Sequence, residues 1–123
     1  MSLSSPLPLT AVRTLALHAQ ALAAPPGTEP APTPDAILKL VEQLGCVQID
    51  TLHMVQRSHY VVLWSRFGRY DPADFDRLIY DPAERRLFEY WLHAASIIPY
   101  SVYRYRLPLM DHFRNGGAWW PEW

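Results

Sequence analysis

The sequence contains one cysteine, Cys46, one lysine, Lys39, and no long run of apolar residues. A single thiol cannot form a disulfide within the chain, so we expect the protein to work in a reducing compartment, the cytoplasm. A membrane-spanning helix needs roughly 20 consecutive apolar residues, and no run approaches that length. The start of the chain also lacks the charged and apolar regions of a secretory signal peptide. We therefore expect a soluble protein that does not contact membranes.

The chain lacks an excess of either charge, because eleven Lys and Arg stand against twelve Asp and Glu, for a net charge of −1. This balance excludes a uniformly basic nucleic-acid coat protein, but it leaves room for a local basic surface. Residues 51–70 hold three arginines and no acidic residue, whereas residues 71–89 hold six acidic residues and three arginines. The basic segment suits contacts with DNA phosphates, although a solvated helix face produces the same pattern.

Nothing in the sequence indicates a metal site. The five histidines lack the spacing of metal ligands, and no second cysteine is present to complete a Cys/His cluster. We therefore expect neither a metal nor a cofactor. The histidines are His18, His53, His59, His93 and His112.

Half of the 123 residues are hydrophobic, which is enough for one packed domain or one lobe of a larger protein. Spacings of three and four between apolar residues predict helices, and alternation predicts strands. A break or kink is expected at Pro108 in the last helix. The predicted helices are Thr10–Ala23 with Thr10 as N-cap, a helix from Pro34 to a cap at Gly45, Arg57–Phe67, a helix starting at Asp71-Pro72, and Tyr103–Met110; the predicted strands are Cys46–Asp50, Arg85–Leu92 and Ala95–Pro99.

This order of elements is typical of winged helix-turn-helix folds, in which a β-hairpin forms the wing. We therefore predict an α+β fold that is mainly α with a short β-hairpin. The expected division is a disordered N-terminus at 1–8, a winged-helix lobe at 9–110 with a proline-rich loop at 24–34, and a truncated following segment at 111–123. The aromatic residues expected in the core are Trp64, Phe67, Phe88 and Trp91.

Two polar side chains alternate with apolar ones in the first short strand. If this segment is extended, Gln48 and Asp50 point to one side, about 6.6 Å apart at Cα, and Val47 and Ile49 point to the other. The amide and the carboxylate then address one small site together. A pair of surface and helix-capping residues would produce the same pattern.

Six segments in a fixed order resemble the YcaQ/AlkZ-type crosslink-repair DNA glycosylases, a family of winged helix DNA-binding proteins. The resemblance covers roughly residues 9–120 and is strongest over 44–99. No single segment is specific, but the ordered set is hard to obtain by chance. The segments are VQIDTL at 47–52, VQRSHY at 55–60, LWSRFG at 63–68, YDP at 70–72, LFEYWLHAAS at 87–96 and IP at 98–99.

The resemblance implies a specific activity. The family unhooks interstrand crosslinks and removes bulky N7-alkylated guanines by cutting the N-glycosidic bond, and its motif is Gln, an apolar residue, then Gln or Asp. Here the motif is Gln48-Ile49-Asp50, which implies that Asp50 activates water and Gln48 positions it. The implied protein is a monofunctional, monomeric DNA glycosylase on double-stranded DNA carrying alkylated or crosslinked guanine, in the cytoplasm and associated with the nucleoid.

The expected DNA-binding residues lie on the basic helix and at the hairpin tip. Arg57, Arg66 and Arg69 are candidates for contacts with the DNA backbone. His59 either contacts phosphate or caps its helix, and His93 either faces the lesion or has a structural role.

Members of the family are several times longer than this chain and resemble a stack of tandem winged-helix lobes around a DNA channel. We therefore expect the chain to be the N-terminal lobe, a truncated piece of such a protein. Two other interpretations stay open: a non-catalytic winged-helix DNA-binding protein, and an inactive truncated remnant of the glycosylase.

Overall fold

The structure of the 123-residue chain is a computed structural model that describes residues 7–27, 30–50 and 55–117. The expected disordered start and the end of the expected following segment lie largely outside the described residues, at 1–6 and 118–123. The described part holds five α-helices and three strands. These are α1 (Leu9–Ala19), α2 (Pro34–Leu44), β1 (Val47–Gln48), α3 (Ser58–Phe67), α4 (Pro72–Tyr80), β2 (Leu87–Trp91), β3 (Ala95–Pro99) and α5 (Tyr103–Arg114), with a 3-10 turn at Tyr100–Val102 before α5.

The predicted start and end of α2 and the predicted start of α4 are confirmed, and local chemistry explains them. At the start of α2, the Thr33 hydroxyl accepts a hydrogen bond from the Ala36 amide at 3.2 Å. At the start of α4, the Asp71 carboxylate accepts from the Ala73 amide at 2.9 Å. Gly45 ends α2 with φ of +80°, a conformation that glycine adopts without steric cost.

The predictions for the first and last helices are wrong in detail. The first helix ends at Ala19, and a turn with φ of +52° at Ala21 follows it. Thr10 lies inside the helix and does not cap it, because the N-cap is Pro8. The last helix continues through Pro108 to Arg114. Proline has no amide hydrogen, so Pro108 leaves the carbonyl of Arg104 without its helical hydrogen bond. Arg104 is exposed, and water can donate to this carbonyl instead.

The three strands form one antiparallel sheet in the order β1-β3-β2. Strands β2 and β3 are the predicted hairpin, and its tip is residues 92–94. Strand β1 pairs with the edge of β3 that faces away from β2. In this pair Val47 lies opposite Ile97, and Gln48 lies opposite Ser96. The first short strand therefore runs beside the wing and towards its tip.

A single core joins three helices to one face of the sheet. Its members come from α2, α3, α4 and all three strands, and they are at most 6% exposed. This architecture confirms the predicted mixed α+β, winged-helix-like domain. The core residues are Ile37, Leu40, Val41, Val47, Leu63, Phe75, Leu78, Ile79, Leu87 and Ile97.

Helix α1 contributes no buried residue to this core. It is held mainly by side chains that bond to its last carbonyls, for example Gln43, whose Nε2 donates to the His18 carbonyl at 2.8 Å. Within the described ranges, no helix is long and apolar enough to span a membrane.

Candidate functional site

The Gln48-Ile49-Asp50 segment lies where the first strand leaves the sheet. Gln48 is exposed and is the last residue of β1. The Ile49 amide still donates to the Ala95 carbonyl of β3, at 2.7 Å. Since β1 and β3 are antiparallel, the next residue, Asp50, is carried towards the tip of the hairpin.

The start of α3 approaches the same segment from the other side. The Asp50 amide donates to the Ser58 hydroxyl at 2.9 Å, and that hydroxyl donates to the Gln48 carbonyl at 3.4 Å. One oxygen atom therefore bonds to the main chain at both ends of the segment. Sequence reasoning missed Ser58, although a hydroxyl residue at a helix start inside a segment that resembles the family was a usable signal.

Two of the predicted DNA-binding arginines lie on the exposed surface near this helix. Arg57 is the N-cap residue of α3, and Arg69 follows its last turn. Neither arginine makes an ion pair with any other residue in the described part of the chain. The N-terminal end of α3 also carries a partial positive charge from its aligned peptide dipoles. The start of α3, where Arg57 lies, can therefore attract an anion.

The third arginine, Arg66, forms hydrogen bonds within the protein. The Nε of Arg66 donates to the Gln20 carbonyl at 3.1 Å, and its Nη1 donates to the Val62 carbonyl at 3.2 Å. Burial lowers the pKa of its guanidinium. Arg66 therefore links the end of α1 to α3, and its guanidinium is not presented to solvent as a free DNA contact.

His59 is 4% exposed and lies in the interior, although it follows Ser58 directly. Its ring packs on Tyr60, with centroids 4.2 Å apart, and lies 6.2 Å from the ring of Phe75. Its Nδ1 is buried and has no hydrogen-bond partner. A phosphate cannot reach a side chain in this position without rearrangement of α3, so we leave His59 out of the candidate interface.

The pKa of His59 is lowered from its ordinary value of 6.5, first by burial and then by the charge of Arg57, against the opposing charges of Asp76 and Glu89. Folding therefore disfavours the protonated form of His59. The contribution of neutral His59 to the free energy of unfolding is complete above pH 6.5 and is lost as the pH falls below that value. In this range we expect His59→Phe to reduce the slope of the free energy of unfolding against pH by up to about 1.4 kcal/mol per pH unit.

Urea unfolding between pH 7.5 and 5 measures this effect on His59. His93→Gln, which removes an exposed imidazole, is the matched control and should keep the wild-type slope. Equal slopes for wild type and His59→Phe would contradict the neutral, buried state of this histidine.

His93 is exposed at the tip of the wing. It is two residues from Ala95, whose carbonyl accepts from Ile49. The structure therefore brings the hairpin tip, the Gln48-Ile49-Asp50 segment and the start of α3 to one end of the domain.

An aromatic groove of about 490 Å³ runs along the outer side of α3. Trp64, expected in the core, is 59% exposed in this groove, and Trp91 is 54% exposed on the hairpin. The core position predicted for Trp64 is wrong, because the rotation of α3 about its axis places the preceding residue, Leu63, in the core. Phe67 and Phe88 are half-buried. The groove is lined by Val55, Gln56, Tyr60, Val61, Trp64, Arg69, Tyr70 and Pro72.

In the part of the chain that the structure describes, no group of three or more His, Cys, Asp or Glu side chains is placed to hold a metal ion. The described side chains of the Gln48-Ile49-Asp50 segment offer one carboxylate and one amide, and the start of α3 adds the positive end of a helix. Such a set can stabilise a cation, orient water and bind a phosphate backbone.

Comparison with known proteins identifies the family of the chain. No solved structure matches the chain. A family profile described as DNA glycosylase AlkZ-like matches residues 41–123, which include β1, the hairpin and the start of α3. The chain therefore belongs to the AlkZ-like DNA glycosylase family.

Proposed function

We propose that this DNA glycosylase domain hydrolyses the N-glycosidic bond of N7-alkylated guanine, with Asp50 as the general base or cation stabiliser and Gln48 as the residue that positions water or the nucleotide. The observation that supports this proposal best is the placement of both residues in one short segment between the wing and the start of α3. Unhooking of interstrand crosslinks at N7 of guanine is part of the same proposal.

One carboxylate is enough for this reaction. Cleavage of a nucleoside bond passes through a sugar with the character of an oxocarbenium ion, and ordinary glycosidases add a second carboxylic acid to protonate the leaving group. An N7-alkylated guanine already carries positive charge and leaves as a neutral base. Asp50 therefore has to stabilise the cationic sugar and activate water, and no proton donor is required.

The nearby acid Glu89 is poorly placed for a second catalytic role. Glu89 is in register with Ile97, whereas Gln48 is in register with Ser96, the adjacent residue of β3. Adjacent positions of a strand point to opposite faces, so Glu89 and Gln48 lie on opposite faces of the sheet. The carboxylate of Glu89 also accepts a hydrogen bond from the Tyr80 hydroxyl.

DNA contact is proposed for three exposed residues: Arg57 at the start of α3, His93 at the wing tip, and Arg69, which follows the last turn of α3. The two arginines bind backbone phosphates and hold the duplex without reading its sequence. His93 at the wing tip faces the damaged nucleotide. A monomer on double-stranded DNA, a cytoplasmic location at the nucleoid and the division of the chain near residue 110 stay predictions.

The double variant Arg57→Gln/Arg69→Gln should reduce the slope of log binding constant against log salt concentration by about 2, one unit for each lost phosphate contact. Fluorescence anisotropy with a duplex, measured at several salt concentrations, gives the slope. Arg13→Gln/Arg114→Gln removes the same charge from exposed positions on α1 and α5 and should change the slope little. An equal reduction of the slope in both double variants would show that net charge alone drives binding and would contradict the proposed contacts of Arg57 and Arg69.

The experiment that tests the function is excision of N7-methylguanine from duplex DNA by the whole chain, with Gln48→Ala and Asp50→Ala beside it. The proposal expects release by the wild type and loss in both variants. Tight DNA binding without release would contradict the proposal and would favour a non-catalytic winged-helix DNA-binding protein or an inactive remnant of the glycosylase.

A further inference from the structure

We propose that Ser58 is a positioning residue for this reaction, whose hydroxyl sets the main-chain geometry of the Gln48-Ile49-Asp50 segment. The inference rests on the proposed function, because it assigns a role relative to that catalytic pair. It also makes a statement about the structure that can be tested without any activity.

The segment is held from two different sides. Gln48 is paired with Ser96, and the Ile49 amide donates to Ala95, so the sheet fixes the first two residues. The Asp50 amide turns away from the sheet and donates to the Ser58 hydroxyl at 2.9 Å. The carboxylate of Asp50 therefore projects from a residue whose amide is held by α3.

The Ser58 hydroxyl serves the segment and not its own helix. A hydroxyl near a helix start commonly caps the free amides of that helix, but the N-cap of α3 is Arg57, and no side chain makes a capping bond there. The Ser58 oxygen instead accepts from the Asp50 amide and donates to the Gln48 carbonyl at 3.4 Å. A hydroxyl can accept and donate at one atom in this way, whereas the methyl group of alanine can do neither.

Helix α3 provides a rigid base for this contact. Leu63 is fully buried and His59 is 4% exposed, so two residues of the helix are anchored in the core. Ser58 directly precedes one of these anchors. Catalytic groups have to be held within about 0.5 Å of their productive position, and side chains supported by a packed element achieve this better than a free loop. Ser58 thus connects the position of Asp50 to the core of the domain.

We expect Ser58→Ala to lower the kcat for excision of N7-methylguanine by about 10- to 100-fold, with KM changed less than about twofold, since misplacement by about 1 Å can cost about 100-fold. Ser58→Thr keeps the hydroxyl and should recover most of the rate. Ser65→Ala is the matched control, because Ser65 is a half-buried serine of α3 whose hydroxyl donates to the Val62 carbonyl at 2.8 Å. Equal rates for Ser58→Ala and wild type, or an equal loss in Ser65→Ala, would overturn the assignment.

Hydrogen exchange of the Asp50 amide, followed by NMR on the same proteins, separates this inference from the proposed function. The amide should be protected in the wild type and in Ser58→Thr, and should exchange about tenfold faster or more in Ser58→Ala, since one hydrogen bond of about 1.4 kcal/mol corresponds to a factor of ten. An unprotected Asp50 amide in the wild type overturns the inference even if excision is active. Protection that depends on Ser58 supports the structural part of the inference, that Ser58 holds the segment, even if no base is released; the proposed function then fails by itself.

Discussion

Replacing Asp50 with Asn should lower the rate of N7-methylguanine excision by about 10²- to 10⁴-fold, the usual contribution of a positioned general base or acid. The amide keeps the size of the side chain and removes the negative charge that the cationic sugar requires. The main-chain amide of Asp50 donates to Ser58, and we expect the substitution to keep this bond and the fold because it changes only the side chain. Single-turnover excision measures the loss directly.

Glu42→Gln is the matched control for Asp50→Asn. It removes the same charge from an exposed position on α2, away from the segment, and should leave the rate unchanged. Affinity for undamaged duplex should differ little between the two variants. Normal excision by Asp50→Asn would show that this carboxylate is not the catalytic group.

The second large effect concerns stability. Phe75 is fully buried on α4 and packs near the rings of His59 and Tyr60, with centroids 6.2 Å from each. Truncation of a buried phenylalanine leaves a cavity and removes dispersion contacts, which costs about 3–5 kcal/mol. For a domain of this size such a loss is a large part of the total stability. We therefore expect Phe75→Ala to be mostly unfolded or close to it at 37 °C.

Urea unfolding followed by circular dichroism measures the effect of Phe75→Ala. Tyr105→Ala, which truncates a ring that is 65% exposed on α5, should change the free energy of unfolding by less than about 0.5 kcal/mol. A Phe75→Ala protein with the wild-type midpoint would contradict the position of the core between α4, α3 and the sheet.

Periodicity was sufficient to predict the elements that face the core. Helices α2 and α4 have strong start signals at Thr33 and Asp71, and the buried positions of each helix repeat at helical spacing. The hairpin was predicted from two extended runs separated by a short link, and β2 and β3 lie there. In these segments local propensity and tertiary packing favour the same structure, so sequence patterns are reliable.

Sequence patterns were insufficient where the partner of a side chain decides its place. Arg66 and Arg57 have the same charge and belong to the same basic segment, yet one bonds to the carbonyls of Gln20 and Val62 while the other is exposed. His59 was expected to contact phosphate or cap its helix, because its neighbours are polar and basic; its burial depends on the rotation of α3 against α4. Tertiary contacts of this kind leave no periodic signal in the sequence.

The candidate site was only partly visible in the sequence. Alternation placed Gln48 and Asp50 on one side of an extended segment, and the family resemblance supplied their role. The Ser58 contact joins residues on two different elements, and its geometry depends on where α3 begins relative to β1. A single sequence cannot supply that distance, and so the contact that supports the proposed catalytic pair appears only in the structure.

The most direct test of the central claim is the identification of the products that the whole chain forms from a duplex carrying one N7-methylguanine. Mass spectrometry of the released base and a denaturing gel of the strand measure both halves of the reaction. A monofunctional glycosylase should release free N7-methylguanine and leave an abasic site in an uncut strand, with one base released for each abasic site and no release by Asp50→Asn. Intact binding of the duplex without any free base, or release at the wild-type rate by Asp50→Asn, would contradict the claim.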